Sequence, residues 1–295
     1  MTSVAGLLLA AWQGTAAADD VVFPTQEEIA KMRQAAPAEA PAKPAKPRRL
    51  LVWGHVAAHL PVPFASKALE ILGEKSGAFR AVVSDDPDVL LPDKLSQFDG
   101  LVMNNIHEQD PFLPRGFEQL PEAERKKVEA RVAAIQGSIL DFVSGGKGIV
   151  GIHAATAALQ RWPEYGELMG GYYASHLTDE VPIKVDDPDH PINACFRGQG
   201  FRIHDEIYFL SEQNPRGKYR VLLSLDLGRM ADPGARPDRD YAVSLVRQYG
   251  KGRVFYCTLG HFPETYWNPL FLEHLLAGIQ FAVGDLKADA SPRPL

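Results

Sequence analysis

The chain has 295 residues, of which 45% are hydrophobic and 23% charged, a composition typical of a protein that buries a sizeable core. A formal net charge of -6 provides no basic excess for binding phosphates, so we expect no nucleic-acid partner. Two cysteines without CxxC spacing exclude a disulfide scaffold, although a bridge between Cys195 and Cys257 stays open.

The N-terminus resembles a secretory signal. An apolar run from Val4 to Trp12 is too short to span a bilayer, and small residues follow it at 15–18. No Lys or Arg precedes the run, which departs from the usual pattern. We predict a signal peptide over residues 1–18 and a periplasmic or secreted protein without a membrane span. The location would be cytoplasmic if this stretch is not a signal.

A Pro/Ala-rich segment at 19–48 predicts a linker, because its prolines favour extended backbone without helical hydrogen bonds. We predict one domain at 49–286 and a tail at 287–295. Apolar runs predict strands at 50–54, 79–83, 98–103, 147–152 and 252–259, helical spacing predicts helices at 64–75, 122–144 and 267–283, and shorter alternating runs lie at 181–185, 203–210, 220–225 and 241–247. The alternation predicts an α/β fold with a doubly wound, mostly parallel, flavodoxin-like sheet and an antiparallel elaboration in the second half.

Histidine or asparagine side chains follow four predicted parallel strands. His55 and His59 follow the first strand, Asn104-Asn105 and His107 the third, His153 the next, and His261 the late strand. Open α/β sheets bind ligands outside the carboxyl ends of their strands. With only nine histidines in the chain, this placement predicts a histidine-lined crevice, with His59 preferred over His55 in the first loop.

His153 lies on a predicted strand-to-helix turn, where related folds carry a nucleophile. No Ser or Cys stands at the turn, so we expect neither serine-hydrolase nor thiol amidotransferase chemistry. His153 and His261 are the candidate proton-transfer groups, and Asn105 and His59 the candidate contacts to substrate oxygens. Each of these side chains also has a plain interpretation as a hydrogen-bonded packing residue.

Two clusters in the second half add candidates. Tyr173 and His176 follow a double glycine, and an aromatic ring beside histidine suits stacking on a sugar ring. Strand alternation puts His204 and Glu206 on one face and Asp205 on the other. A carboxylate with histidine is typical of a general base pair or of metal ligands, although a solvated edge strand has the same pattern.

Other histidines and glycines have plainer interpretations. His190, between prolines and acids, is typical of a turn, and His274 of a packing position in the last helix. The GxGxxG letters at 146–151 lead into a strand, whereas the dinucleotide fingerprint leaves one. No HExxH or CxxC spacing identifies metal ligands, so no cofactor is certain, and a divalent metal such as Zn²⁺ stays open with unknown ligands.

Many motifs in one order resemble the ThuA-like (trehalose utilisation) family. The matching stretches are Ala68 to Gly77, Phe98-Asp99-Gly100 leading to Asn104-Asn105, Phe142 to Thr156, Trp162 to Glu167, Asp187 to Pro191, Asp205 to Tyr208, Tyr249 to Tyr256, Leu259-Gly260-His261 and Trp267-Asn268-Pro269. The resemblance covers residues 50–286. The loop at 54–59 and the pair Ile106-His107 depart from the family pattern, and both would line the crevice.

The resemblance implies a fold similar to class I glutamine amidotransferases without their nucleophilic cysteine. It also implies a role in catabolism of trehalose-like or oxidised disaccharides, with a functional link to a sugar dehydrogenase that makes 3-keto-glycosides. The positions that match the family's motifs are His59, His153, His176, Glu206 and His261.

Three functions follow as alternatives. The first is a hydrolase, lyase or isomerase that acts on a glycoside or 3-keto-glycoside, with His153 or His261 as the base and Glu206 as its partner. The second is a non-catalytic carbohydrate-binding module, in which the crevice only holds a small-molecule sugar. The third is a metal-dependent hydrolase.

Overall fold

A computed structural model describes residues 21–55, 59–211 and 215–293. The predicted signal peptide at 1–18 lies outside the described residues. Within these ranges, nine strands form one sheet. In chain order they are β1 (Arg49–Trp53), β2 (Arg80–Ser84), β3 (Gly100–Asn104), β4 (Gly148–Ile152), β5 (Tyr173–Val185), β6 (Phe201–Leu210), β7 (Arg220–Leu225), β8 (Ala242–Tyr249) and β9 (Gly252–Cys257).

The helices lie on both faces of this sheet. They are α1 (Gln26–Ala35), α2 (Pro61–Ser76), α3 (Pro92–Leu95), α4 (Glu122–Ser144), α5 (Pro163–Met169) and α6 (Pro269–Ala282). In the part of the chain that the structure describes, no helix combines the length and apolar character that a bilayer crossing requires.

The sheet has a parallel half and an antiparallel half. The strand order is β2-β1-β3-β4-β9-β8-β7-β5-β6, and the first five of these strands are parallel. The pairs β9–β8, β8–β7, β7–β5 and β5–β6 are antiparallel. The predicted fold class, a mostly parallel sheet with an antiparallel elaboration, is therefore confirmed.

Alternate residues of the central strands enter two cores, one on each face. Leu50 and Val52 of β1 pack with α2 and α6, whereas Leu51 and Trp53 pack with α4 and α5. This division follows from the two-residue period of a strand, and it explains why β1 is a continuous apolar run rather than an alternating one. Both cysteines lie in or against the first core as free thiols, so they do not pair.

The GxGxxG stretch serves packing. It leaves the end of α4 and enters β4, as the sequence predicts. At Gly148 a Cβ atom would stand 2.2 Å from the Ala282 carbonyl oxygen, so only glycine allows α6 to lie this close to the sheet.

The segment for which proline content predicts a linker is instead fixed to the domain. It begins with α1, which is capped by Thr25 and buries Met32 completely. Beyond α1, the backbone of Ala42 both donates to and accepts from the Gln280 side chain on α6. These hydrogen bonds replace the helical ones that proline removes, so an extended segment stays in place.

Candidate functional site

Three histidines meet at the carboxyl edge of the parallel half. His59 follows β1, His153 follows β4 and His261 follows β9. Their ring centroids lie 5.1 to 5.6 Å apart, and one ring nitrogen from each lies within 4.8 Å of the others. We call these residues the trihistidine cluster. The topology brings together imidazoles that stand 94 to 202 positions apart in the chain.

His153 is fixed in orientation on the turn after β4. Its backbone adopts φ +43°, a left-handed conformation that is uncommon outside glycine, and the Tyr256 hydroxyl donates to its carbonyl oxygen. Nδ1 lies 2.7 Å from the Thr258 carbonyl oxygen. Because a carbonyl oxygen only accepts, this contact assigns the ring proton to Nδ1 and leaves the Nε2 lone pair facing the cluster. Burial lowers the pKa of this ring, so the imidazole is neutral.

His59 is also neutral. Burial and repulsion from His261 and His107 lower its pKa to about 3, although a hydrogen bond to the Asn105 backbone acts in the opposite direction. Its Nδ1 atom is buried and has no hydrogen-bond partner among the described residues. Burying a polar atom without a hydrogen-bond partner costs free energy, so this nitrogen is suited to bind a ligand.

His261 lies between the cluster and a carboxylate. Its Nδ1 atom is 3.1 Å from His153 Nε2 and 3.1 Å from Glu206 Oε2. Both neighbours present lone pairs, so in the metal-free protein Nδ1 carries the proton that they share. The loop can approach this closely because Gly260 has φ +123°, where a Cβ would collide with the Tyr266 hydroxyl.

Glu206 connects the cluster to the β5–β6 hairpin. Its Oε1 atom lies 3.7 Å from Nδ1 of His176, which in turn is 2.8 Å from the Tyr173 hydroxyl. The rings of Tyr173 and His176 stack at 5.9 Å, and 45% of the His176 side chain is exposed. Tyr208 fills the space behind them and contacts both His153 and Tyr173. These aromatic and imidazole rings form a wall beside the cluster.

Asn105 lies beneath the cluster rather than in an open crevice. It is completely buried with φ +52°, and its Nδ2 atom donates to Asn104 Oδ1 and to the Tyr266 hydroxyl. Asn104 in turn donates to Ser66, which fixes the orientation of both amides. Oδ1 of Asn105 has no hydrogen-bond partner in the part of the chain that the structure describes. The predicted contact of Asn105 to substrate would depend on this oxygen and stays a prediction.

The remaining histidines lie outside the trihistidine cluster, either beside it or in contacts that stabilise the fold. His55 contacts Glu108, and the exposed His107 packs against His59. His204 stacks on Phe262 and does not join the cluster. Backbone contacts hold His190 at a turn, as the sequence predicts. His274 packs in the last helix, as predicted, but it is completely buried and contacts the Ile192 carbonyl.

Sequence reasoning missed three contributors: Glu108, Thr258 and Asp205. The carboxylate of Glu108 contacts His55, and the carbonyl of Thr258 sets the tautomer of His153. Asp205 was recognised only as the residue opposite Glu206. A charged residue at an inward position of a strand is itself a signal, because a buried charge requires partners.

A known protein family matches most of the chain. A family profile described as trehalose utilisation, ThuA, matches residues 49–282. The chain belongs to the ThuA family. Membership indicates a role in trehalose or sugar utilisation. No curated protein matches the chain.

Solved structures show the same fold. A ThuA-like protein from Bacteroides uniformis superposes with a TM-score of 0.60 at 20% identity, covering 82% of this chain and 94% of that one. A ThuA-like protein from Parabacteroides merdae gives 0.55 at 20% identity, covering 81% and 91%. A cytoplasmic protein from Salmonella typhimurium gives 0.54 at 12% identity, covering 80% and 98%. At these identities the likeness of these structures to the ThuA chain shows the fold alone.

Proposed function

We propose that this ThuA protein is an enzyme of sugar catabolism whose catalytic centre is the trihistidine cluster with Glu206. The substrate would be a neutral glycoside or 3-keto-glycoside, and the reaction a hydrolysis, elimination or isomerisation. The observation that carries the proposal is the convergence of three imidazoles, two of them held neutral, beside one carboxylate.

We further propose that the trihistidine cluster holds a divalent metal, with Zn²⁺ as the best fit. Neutral imidazole is a preferred Zn²⁺ ligand, and ligating histidines usually hydrogen-bond a backbone carbonyl through the other ring nitrogen. His153 has this arrangement with Thr258, and the His59 ring has a hydrogen bond to the Asn105 backbone and an unpartnered Nδ1.

The spacing of the nitrogens supports the same proposal. Two nitrogens on one tetrahedral Zn²⁺, each bound at about 2.1 Å, lie about 3.4 Å apart. The 3.1 Å between His153 Nε2 and His261 Nδ1 is close to this separation. A third ligand from His59 leaves a coordination position open, as catalytic zinc sites have.

Different residues of the chain would carry out different parts of the reaction. A bound metal would polarise a substrate carbonyl or lower the pKa of a bound water. Glu206 would take the proton from the water or from the carbon beside the carbonyl, because its Oε2 atom already lies at the cluster. Tyr173 and the exposed His176, beside the cluster, would hold the sugar ring and its hydroxyls.

A metal-free mechanism is the second candidate. In it, Glu206 would take the proton from substrate directly, and the Nδ1–H group of His261, which lies 3.1 Å from both Glu206 Oε2 and His153 Nε2, would orient the carboxylate. Metal analysis of purified protein separates the two candidates. The metal-bound centre requires about one Zn²⁺ per chain and loss of turnover with a chelator.

The test of function is turnover on a panel of glycosides and 3-keto-glycosides by the wild type and by His153→Ala, His261→Ala and Glu206→Gln. His190→Asn is the matched control, because it replaces a remote, backbone-bound histidine and keeps a helix-capping acceptor. Sugar binding without product in the wild type would indicate the carbohydrate-binding module instead. Unchanged turnover in all three site variants would refute the proposed centre.

Two expectations from the sequence remain proposals. The N-terminal stretch supports export, and fractionation of cells that produce the full chain tests it. A 3-keto-glycoside substrate would require an enzyme that oxidises a sugar hydroxyl to supply it, which is the proposed link to a sugar dehydrogenase. Coupled turnover from the unoxidised disaccharide, with and without such a dehydrogenase, tests that link.

A further inference from the structure

Asp205 is a buried carboxylate bonded almost entirely to one loop. It is completely buried on β6 and has no ion-pair partner among the described residues. Five donors surround it: the backbone N–H groups of Glu206, Gly260, His261 and Phe262 at 2.7 to 3.3 Å, and the Thr265 hydroxyl at 3.1 Å. Four of these donors belong to the segment after β9 that carries His261.

Burial raises the pKa of the Asp205 carboxyl, and the hydrogen bonds from backbone N–H groups act in the opposite direction and favour its charged form. Burying an unpaired carboxylate is costly, and hydrogen bonds to backbone N–H groups offset that cost. The N–H groups of residues 260–262 gain an acceptor that no strand partner supplies. The ionised carboxylate only accepts, and it offers about four lone pairs, which these five donors share, whereas a protonated carboxyl would offer fewer and add a donor of its own.

The strand places two carboxylates on His261 from different sides. Successive side chains of β6 point to opposite faces, so Asp205 reaches the His261 backbone while Glu206 reaches its ring. We propose that Asp205 is a positioning residue that fixes the His261 imidazole toward Glu206 and His153. The part of this inference that concerns metal binding rests on the proposed function of the trihistidine cluster.

Asp205→Asn changes this contact with little change in shape. Three backbone N–H groups bond Oδ1, whereas Gly260 N–H and the Thr265 hydroxyl bond Oδ2. The amide oxygen will therefore occupy the Oδ1 position, and its NH₂ group will face the Gly260 N–H. The Thr265 hydroxyl can rotate so that it accepts from the new NH₂ group. The Gly260 N–H cannot accept, so it and the NH₂ group face each other as two donors without an acceptor. Because Gly260 directly precedes His261, we expect this repulsion to move the loop and the His261 ring with it.

The first measurement is metal binding by the full chain, with Co²⁺ as a spectroscopic substitute for Zn²⁺. We expect Asp205→Asn to weaken Co²⁺ binding about 10- to 100-fold, the usual effect of losing an outer contact to a ligand. The visible spectrum of bound Co²⁺ should also change. Asp187→Asn is the matched control: Asp187 is also buried, but it lies remote from the cluster and forms ion pairs with Arg220 and Arg293. It should lose stability and keep the wild-type affinity and spectrum.

The second measurement needs no metal. Nitrogen-15 imidazole NMR of the metal-free protein reports which His261 nitrogen carries the proton. We expect a single Nδ1–H form in the wild type and a mixture in Asp205→Asn. Thr265→Val removes one donor and should produce a smaller change in the same direction, which keeps the test decisive if Asp205→Asn does not fold.

The outcomes separate the two proposals. A wild type that binds no Co²⁺ would remove the metal centre, and the NMR comparison would still decide the role of Asp205. A wild type that binds Co²⁺, with His261 signals and Co²⁺ spectrum unchanged in Asp205→Asn and Thr265→Val, would overturn the positioning role alone.

Discussion

In the parallel half of the sheet, side chains reach the site from loops at strand ends, whereas in the antiparallel half they reach it from the strands themselves. His59, His153 and His261 follow β1, β4 and β9, while Glu206 and Tyr173 lie within β6 and β5. The first arrangement depends on topology alone, because parallel strands all end at one edge. The second depends on the register of a hairpin. We infer that the parallel half builds the centre and the antiparallel half adapts it to a substrate.

The largest expected effect tests the parallel half. His153→Ala removes the most buried member of the cluster, and its Nε2 lone pair has no substitute nearby. We expect loss of stoichiometric metal and a decrease in kcat/KM of at least about 10³-fold, since the ion would be lost and the hydrogen bond that orients His261 would be broken. His176→Ala, on the antiparallel half, should retain the metal. Equal metal loss in both variants would contradict the division between the halves.

The second effect concerns the carboxylate that joins the halves. Glu206→Gln keeps the size of the side chain but removes the base, so we expect kcat to fall about 10²-fold or more. Metal content should remain near that of the wild type, because the three imidazoles are intact. Steady-state kinetics beside metal analysis of the same preparation check this. Metal loss in Glu206→Gln would mean that Glu206 is a ligand rather than a base.

The sequence predicted more of the site in the parallel half of the sheet than in the antiparallel half. The histidines were predictable because a short apolar run marks each strand, and the residue after it must stand at the edge. Glu206 was assigned to the right face by alternation, but its contact with His261 depends on where the chain turns 55 residues later. Asp205 shows the limit most clearly. Its partners are mostly backbone N–H groups, which carry no sequence signature.

The segment predicted as a linker shows a related limit of sequence analysis. Prolines correctly indicated a segment without long helices beyond α1, because proline fixes φ and lacks a donor. Composition could not indicate that Gln280, in an apolar helix, offers both a donor and an acceptor to Ala42. Whether an extended segment is free or held depends on partners that lie 238 residues away.

A third prediction uses a histidine that topology keeps in the core. His274 on α6 contacts the Ser244 hydroxyl of β8 and the Ile192 carbonyl, and burial lowers its pKa to about 3. Between pH 6.5 and 3 the unfolded chain therefore binds a proton that the folded chain does not. The free energy of unfolding must fall as the pH decreases, by about 2 kcal/mol at pH 5 from this residue alone.

Denaturant unfolding of metal-free protein at pH 7 and pH 5 measures this effect. His274→Gln should be less stable than the wild type at pH 7, with a difference that shrinks by about 2 kcal/mol at pH 5. The cluster histidines are present in both proteins, so their contributions cancel. A difference that stays constant between the two pH values would show that His274 does not titrate as a buried neutral group.

The smallest expected effect tests the antiparallel half as a binding surface. Tyr173→Phe keeps the ring that stacks beside His176 and removes only the hydroxyl at 2.8 Å from its Nδ1. One hydrogen bond from this hydroxyl to a bound sugar would contribute about 1 kcal/mol, so KM should rise about 5-fold while kcat stays within about twofold. An unchanged KM with a lower kcat would instead assign the Tyr173 hydroxyl a role in the chemical step. The antiparallel half would then take part in the chemistry as well as in binding, because Tyr173 lies on β5.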